Sequence, residues 1–165
     1  MPCLWRSRNV SLQKLGSLYL GGTKITDAGL KDVAKLQNLW RLDLGATKIT
    51  DAGLKEATKL KNLAWLKLEY TEITFEGLKE VARWQNLRAL YLDGTQVNDT
   101  GLKELAKLQN LTSLTLNHTK ITDAGLKEVT KLQNLWSLDL KGTQVTKAGV
   151  VELKRALPNC KITGP

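Results

Sequence analysis

Hydrophobic and polar positions repeat with a period of 24 residues along most of this chain. One copy, residues 36–59, reads LQNLWRLDLGATKITDAGLKEATK. Threonine recurs at one position of each copy, at Thr23, Thr47, Thr71, Thr95, Thr119 and Thr143. Glycine recurs at another, at Gly29, Gly53, Gly77, Gly101, Gly125 and Gly149. A period of this length is typical of a solenoid, in which each unit is too small to bury its own apolar face and stacks on its neighbours.

Each copy carries the pattern of a short strand followed by a helix. Leu42 and Leu44 alternate with polar residues, as in a strand with one buried face. Leu54, Ala57 and Leu60 then follow at the spacing of one helix face. A helix-capping residue precedes this segment in every copy. The six capping residues are Thr26, Thr50, Thr74, Asn98, Thr122 and Thr146.

Asparagine recurs between each helix and the next strand. The five residues are Asn38, Asn62, Asn86, Asn110 and Asn134. Asparagine tolerates the left-handed backbone conformation in which many helices end. We therefore expect these five residues to adopt it.

Identical units stacked in register form a parallel sheet on one side and a row of helices on the other. Neighbouring strands lie about 4.8 Å apart, whereas packed helices need about 10 Å between their axes. The helix row must be the longer, convex side, and the sheet must line the concave side. We predict an α/β solenoid of six full repeats that ends in a partial C-terminal strand.

The repeat resembles the leucine-rich repeat, whose core reads L-x-x-L-x-L-x-x-N/C-x-L. Residues 39–49 match this core, with Thr47 where asparagine or cysteine is usual. The threonine hydroxyl can still bond the backbone of the turn. The tail T-D-x-G-L, at residues 50–54, is similar to bacterial leucine-rich repeats that carry a helix. The resemblance implies a curved, right-handed solenoid that binds other proteins on its concave face, without catalysis or a cofactor.

The resemblance divides the chain into three parts. Residues 12–155 are the six repeats, residues 1–11 an N-terminal cap or a truncated repeat, and residues 156–165 a C-terminal partial repeat and cap. Trp5 could cover the first repeat. We expect the first strand, residues 16–20, to keep an exposed edge, which invites self-association.

Function must lie at positions that the repeat leaves free, and these are the outward residues of the strands and the strand ends. Aromatic, arginine and acidic side chains gather there in the first four repeats, a composition typical of interface hot spots. The predicted partner-binding residues are Tyr19, Arg41, Asp43, Trp65, Lys67, Glu69, Tyr70, Tyr91 and Asp93. The alternative interpretation is a solvated ladder of charges with Trp65 covering the sheet.

Three tryptophans and one phenylalanine need a separate interpretation. Trp84 replaces a leucine of the repeat and is predicted to be a core residue. Trp40 and Trp136 precede their strands, where we expect lateral packing. Phe75 takes the place of the aspartate that follows the helix cap in four other repeats.

The net charge of +9 does not by itself indicate nucleic-acid binding, because the basic residues alternate with acidic ones in the helical segments. Acid and base lie four residues apart in pairs such as Asp51 and Lys55, the order that favours a helix. The basic residues form two rows, one at Lys31, Lys55, Lys79, Lys103 and Lys127, and one at Lys35, Lys59, Arg83, Lys107, Lys131 and Arg155. We interpret both rows as a solvated outer face. Binding of a polyanion, such as nucleic acid or acidic polysaccharide, is the alternative.

The sequence contains few residues that could carry out catalysis or bind a metal or cofactor. Histidine occurs once, at His118, and no phosphate-binding loop or metal-ligand spacing is present. Cys3 and Cys160 are separated by the whole stack, about 25–30 Å, too far for a disulfide bond, and Cys160 is interpreted as a small core residue. Without an apolar run of about 18 residues or a signal-peptide core, we expect a cytoplasmic location.

Three functions remain open at this point. The first is a non-catalytic module that binds a protein partner on the concave face. The second is a polyanion-binding module that uses the basic rows. The third is a structural fragment of a longer array, whose partner is the neighbouring repeat.

Overall fold

A computed structural model describes residues 12–164, and this part of the chain alternates strands with helices. The strands are β1 (Ser17–Tyr19), β2 (Arg41–Asp43), β3 (Trp65–Lys67), β4 (Ala89–Tyr91), β5 (Ser113–Thr115), β6 (Ser137–Asp139) and β7 (Lys161–Thr163). The helices are α1 (Asp27–Val33), α2 (Asp51–Ala57), α3 (Phe75–Val81), α4 (Asp99–Leu105), α5 (Asp123–Val129) and α6 (Lys147–Ala156). Trp5 and Cys3, with the cap assigned to residues 1–11, lie outside the described residues.

All seven strands of the described chain join one parallel sheet in sequence order. The register equals the repeat, so Leu42 pairs with Leu18 on one side and Leu66 on the other. The predicted right-handed solenoid is confirmed, with the sheet on the concave face, the helices on the convex face and β7 as the partial last strand. The exact boundaries of the three predicted parts stay a prediction.

The core is a continuous column of leucines between the sheet and the helices. Leu42 and Leu44 are completely buried, as are Leu54 and Leu60 on the helical side. Trp84 is only 1% exposed, which confirms its assignment to the core. At the C-terminal end Cys160 is a buried free thiol, and burial raises its pKa.

The threonine at the turn after each strand closes that turn. The Thr47 hydroxyl donates a hydrogen bond of 2.6 Å to the carbonyl oxygen of Leu44. The other five threonines make the same bond at 2.6 or 2.7 Å. This confirms that threonine serves the turn where the repeat usually has asparagine or cysteine.

The prediction for the recurring asparagines was wrong. None of them adopts a left-handed backbone; among non-glycine described residues only Ala46, Tyr70 and His118 do. Each asparagine instead donates its side-chain amide to a carbonyl of the previous repeat, as Asn62 does to Gln37 at 3.0 Å. The same bond is made by Asn38, Asn86, Asn110 and Asn134. The asparagines therefore tie successive repeats together through the loops.

In four of the repeats, the aspartate that follows the helix cap joins its helix to the next repeat. Asp51 accepts the backbone N–H of Thr74 at 2.9 Å and the Thr74 hydroxyl at 2.6 Å. Asp27, Asp99 and Asp123 make the same two bonds to the following repeat. We call this arrangement the carboxylate clamp. Phe75 stands at the clamp position of α3, so the joint between the third and fourth repeats lacks this carboxylate.

The last clamp predicts a pH dependence of stability. Hydrogen bonds from the Thr146 hydroxyl and backbone N–H lower the pKa of Asp123 below its usual value of 3.8. A carboxyl group with a lowered pKa in the folded state stabilises the fold above its unfolded pKa, and the contribution is lost as the pH falls through the folded pKa. We expect the free energy of unfolding, measured with urea, to fall below about pH 4. Asp123→Asn should reduce that slope, and an unchanged slope would contradict the assignment.

Candidate binding surface

The nine predicted residues lie together on the concave side of the sheet, on β1–β4 and at the ends of β3 and β4. We call them the concave patch: Tyr19, Arg41, Asp43, Trp65, Lys67, Glu69, Tyr70, Tyr91 and Asp93. The strand register places Arg41 opposite Trp65, and Lys67 between Asp43 and Tyr91. Tyr19 and Tyr70 are 59% and 62% exposed, whereas the other seven are half-buried. The patch is therefore continuous over four neighbouring strands.

An arginine and aromatic rings form the centre of the patch. The Arg41 guanidinium carbon lies 4.2 Å from the Trp65 ring centroid, and Arg41 Nη1 donates to the Tyr19 hydroxyl at 3.1 Å. The Trp65 and Tyr91 rings are tilted by 49° with centroids 5.0 Å apart. Trp65 Nε1 donates to the Tyr91 hydroxyl at 3.3 Å. These contacts hold the large side chains in place, so a ligand would find them already ordered.

The Arg41 side chain keeps unused hydrogen-bonding capacity. Its Nε is buried and has no partner among the described residues. The guanidinium also lies 5.8 Å from both the Tyr19 and Trp40 rings. Cation–π contacts of this kind contribute about 0.5–2 kcal/mol each. Arg41 is therefore positioned by rings on several sides, with Nε still able to donate.

Charged side chains gather where the strands end. Lys67 Nζ lies 2.8 Å from the Glu69 carboxylate. The hydrogen bond to Glu69 raises the pKa of Lys67, burial opposes this, and the charges of Glu69, Asp43 and Asp93 add to the rise. Asp93 accepts the backbone N–H and the side-chain amide of Asn117, both at 3.0 Å. The strand ends thus carry an ordered, predominantly acidic row.

The turn residue three positions after each of the first six strands has a left-handed backbone, which the sequence analysis did not foresee. Glycine occupies this position in three repeats, and Ala46, Tyr70 and His118 occupy it in the others, with φ of 52–56°. A Cβ at Gly94 would collide with the Tyr70 ring, and one at Gly142 with the His118 ring. Each ring therefore lies over the glycine of the next repeat. Three glycines at this repeat position were the available signal in the sequence.

The two outlying tryptophans differ in their surroundings. Trp40 is 48% exposed, and its ring lies against the backbone of Gly16, where a Cβ would be 2.7 Å from Trp40 Nε1. This contact agrees with lateral packing across the strand entries. Trp136 is 67% exposed and lies before β6, two strands beyond the last strand of the concave patch.

The convex face carries the basic rows, and one of them is paired. In each ion pair a basic residue just beyond the C-terminal end of a helix contacts an acidic residue three positions earlier, within that helix, at N–O distances of 2.5–3.4 Å. These pairs are Lys35–Asp32, Lys59–Glu56, Arg83–Glu80, Lys107–Glu104 and Lys131–Glu128. The expected pair of Asp51 with Lys55 does not form, because Asp51 is engaged in the carboxylate clamp. The charge of this row is therefore largely balanced by the acidic residues in the last turn of the preceding helices.

The described residues contain neither a cluster of metal ligands nor a membrane-spanning helix. Over residues 12–164, no three His, Cys, Asp or Glu side chains converge as metal ligands would. Across the same residues, every helix is too short or too polar to cross a bilayer. The compartment expected from the sequence stays a prediction.

Comparison with known proteins agrees with the repeat pattern. A family model described as leucine-rich repeat matches residues 11–34, 85–106 and 107–129. A leucine-rich repeat protein of Leptospira interrogans is similar in structure, with a TM-score of 0.74 and 27% identity over 96% of this chain. An internalin of Listeria monocytogenes gives a TM-score of 0.67 and 21% identity, also over 96% of this chain. No curated protein matches the sequence significantly.

The present chain is shorter than both of these solved proteins. It spans 39% of the Leptospira chain and 50% of the internalin chain. The internalin likeness concerns the fold alone.

Proposed function

The chain belongs to the leucine-rich repeat family, and from this premise we propose that it is a non-catalytic module that binds a partner protein through the concave face of its sheet. Proteins of this fold commonly mediate protein–protein interactions. The observation that carries the proposal is the ordered cluster of Arg41, Trp65 and Tyr91 at the centre of the concave patch.

The cluster has the properties of an interface anchor. Binding energy at protein interfaces is concentrated in tryptophan, tyrosine and arginine side chains near the centre. Trp65 and Tyr91 are half-buried and already in mutual contact, so ordering them costs little entropy on binding. The exposed rings of Tyr19 and Tyr70 flank this centre.

The charged members of the patch would orient the partner rather than supply most of the affinity. Lys67 and Glu69 already pair with each other, and Asp93 is bonded to Asn117. Charges at the rim of an interface act mainly on the association rate and on selectivity. We assign Asp43 to the same group.

The proposal predicts that the aromatic centre is required for partner capture. The chain is immobilised and incubated with native lysate of its source, and bound proteins are identified by mass spectrometry. Trp65→Ala and Tyr91→Ala should each weaken capture of a specific partner at least ten-fold, since each removes about 1.4 kcal/mol or more of binding energy.

Trp136→Ala is the matched control, because it removes an equally large and more exposed ring outside the patch. It should capture the partner as the unaltered chain does. Circular dichroism must show that all three variants keep the fold. Undiminished capture by Trp65→Ala and Tyr91→Ala would refute the concave face as the binding surface.

The other two hypotheses have less support. A polyanion would need free basic rows, and one row is paired with acids along the described helices. Four lysines of the other row, Lys31, Lys55, Lys103 and Lys127, are exposed and without an ion pair within the described residues. Self-association through the edge of β1, and a role as part of a longer array, stay predictions.

A further inference from the structure

Beside the aromatic centre, the ends of β1, β2 and β3 enclose a depression of about 360 Å³. We call it the exit groove; Gly21, Gly45, Asp43, Lys67, Glu69 and Tyr70 are among its lining residues. We propose that the exit groove receives a lysine or arginine side chain of the partner protein. This inference rests on the proposed function and specifies the chemistry of the partner.

The floor of the groove lacks side chains. The two positions that follow each strand end are Gly21 and Gly22 after β1, and Gly45 and Ala46 after β2. The same positions after β3 hold Glu69 and Tyr70, which form the far wall. Glycine in such a place lets a second chain approach the backbone closely. The groove therefore opens only over the first two repeats and is closed by the third.

The charge of the groove favours a cation. Three carboxylates, those of Asp43, Glu69 and Asp93, surround the single ammonium group of Lys67 closely enough to raise its pKa. This local excess of acid occurs in a chain whose net charge is +9. Asp43 Oδ1 accepts the Gly45 N–H at 2.9 Å, while Asp43 Oδ2 has no hydrogen bond within the described chain. That oxygen is available to a donor from the partner.

The far wall of the groove carries the aromatic ring of Tyr70. Tyr70 is 62% exposed and has the left-handed backbone of the repeat turn, with φ of 52°. The ring lies over Gly94 and also lines the groove.

A basic side chain satisfies these features together. Its donors can bond the Asp43 carboxylate, its aliphatic part can pack on the glycine floor, and its charge is attracted to the Tyr70 ring face. An acidic side chain would meet the Asp43 and Glu69 carboxylates, and a purely apolar one would bury Asp43 Oδ2 without a partner. The groove volume is near the lower end for ligand pockets, which suits one side chain with its flanking backbone.

The probe for this inference is the peptide acetyl-Gly-Arg-Gly-amide. Backbone amide shifts of Gly21 and Gly45 are followed by NMR while the peptide is added to the full chain. We expect saturable shifts at both glycines, with a dissociation constant of about 1–10 mM. The matched peptide acetyl-Gly-Glu-Gly-amide should shift neither. Absence of shifts with the arginine peptide, or equal shifts with both peptides, would overturn the inference.

The variant Asp43→Asn/Glu69→Gln removes two of the carboxylates and leaves Lys67 unpaired. It should weaken binding of the arginine peptide at least ten-fold. Glu56→Gln/Glu80→Gln, on the convex helices, is the control and should bind normally.

If Trp65→Ala abolishes partner capture while Asp43→Asn/Glu69→Gln binds the peptide normally, concave-face binding stands and the exit groove inference fails. If partner capture survives Trp65→Ala and Tyr91→Ala while the peptide still shifts Gly21 and Gly45, only the proposed function fails.

Discussion

Trp84→Ala is expected to lower the free energy of unfolding by about 4 kcal/mol. The side chain is 1% exposed and begins the fourth repeat, where other repeats have leucine. Its removal leaves a cavity in the middle of the leucine column, and neighbouring repeats cannot collapse into it without losing register. Urea unfolding followed by circular dichroism measures the loss.

Two matched variants separate cavity formation from other effects of losing a tryptophan. Trp84→Leu restores the residue of the repeat and removes an indole N–H that is buried without a partner in the described structure. It should cost only about 1–2 kcal/mol. Trp136→Ala removes a ring that is 67% exposed and should change stability by less than about 0.5 kcal/mol. A similar loss for Trp84→Ala and Trp136→Ala would contradict the assigned core.

Gly77→Ala is expected to destabilise the fold by about 2 kcal/mol, although alanine is normally the better residue in a helix by about 1 kcal/mol. A Cβ at this position would collide with the Asp51 carboxylate and force the carboxylate clamp apart. Gly29→Ala is the control, because a Cβ there meets the side chain of Ile25, which can adjust. Thermal unfolding of the two variants gives the comparison.

A double-mutant cycle identifies the colliding partner. Asp51→Ala alone should destabilise the fold, because the Thr74 hydroxyl and N–H lose their acceptor. In the Asp51→Ala background, Gly77→Ala should cost little, because the carboxylate is gone. Additive losses from the two substitutions would show that Gly77 is required for another reason.

The regular part of this fold could be predicted because each structural demand is repeated six times. The leucine and threonine seen at Leu42 and Thr47 recur at the same positions in all six repeats. The strand, the turn and the buried side of the sheet could therefore be predicted from periodicity. Trp84 could be assigned to the core for the same reason, since it stands at a repeat position where leucine side chains point into the core.

The polar links between repeats could not be predicted in the same way. Asparagine and aspartate at helix ends usually bond the backbone of their own helix. Nothing within one repeat indicates that Asn62 and Asp51 instead bond residues of the adjacent repeat. The left-handed backbone at Tyr70 could not be predicted, because only three of the six residues at this repeat position are glycine. The concave patch could be predicted as a set of columns, but the contact of Arg41 with Trp65 depends on side-chain rotamers that periodicity does not fix.

The missing carboxylate at Phe75 has a mechanical consequence for the array. Stability in a solenoid is the sum of repeat terms and nearest-neighbour terms, and one polar neighbour term is absent between the third and fourth repeats. Trp65 belongs to the third repeat and Tyr91 to the fourth, so their contact spans this junction. A partner that binds both rings would bridge the junction that lacks the carboxylate clamp.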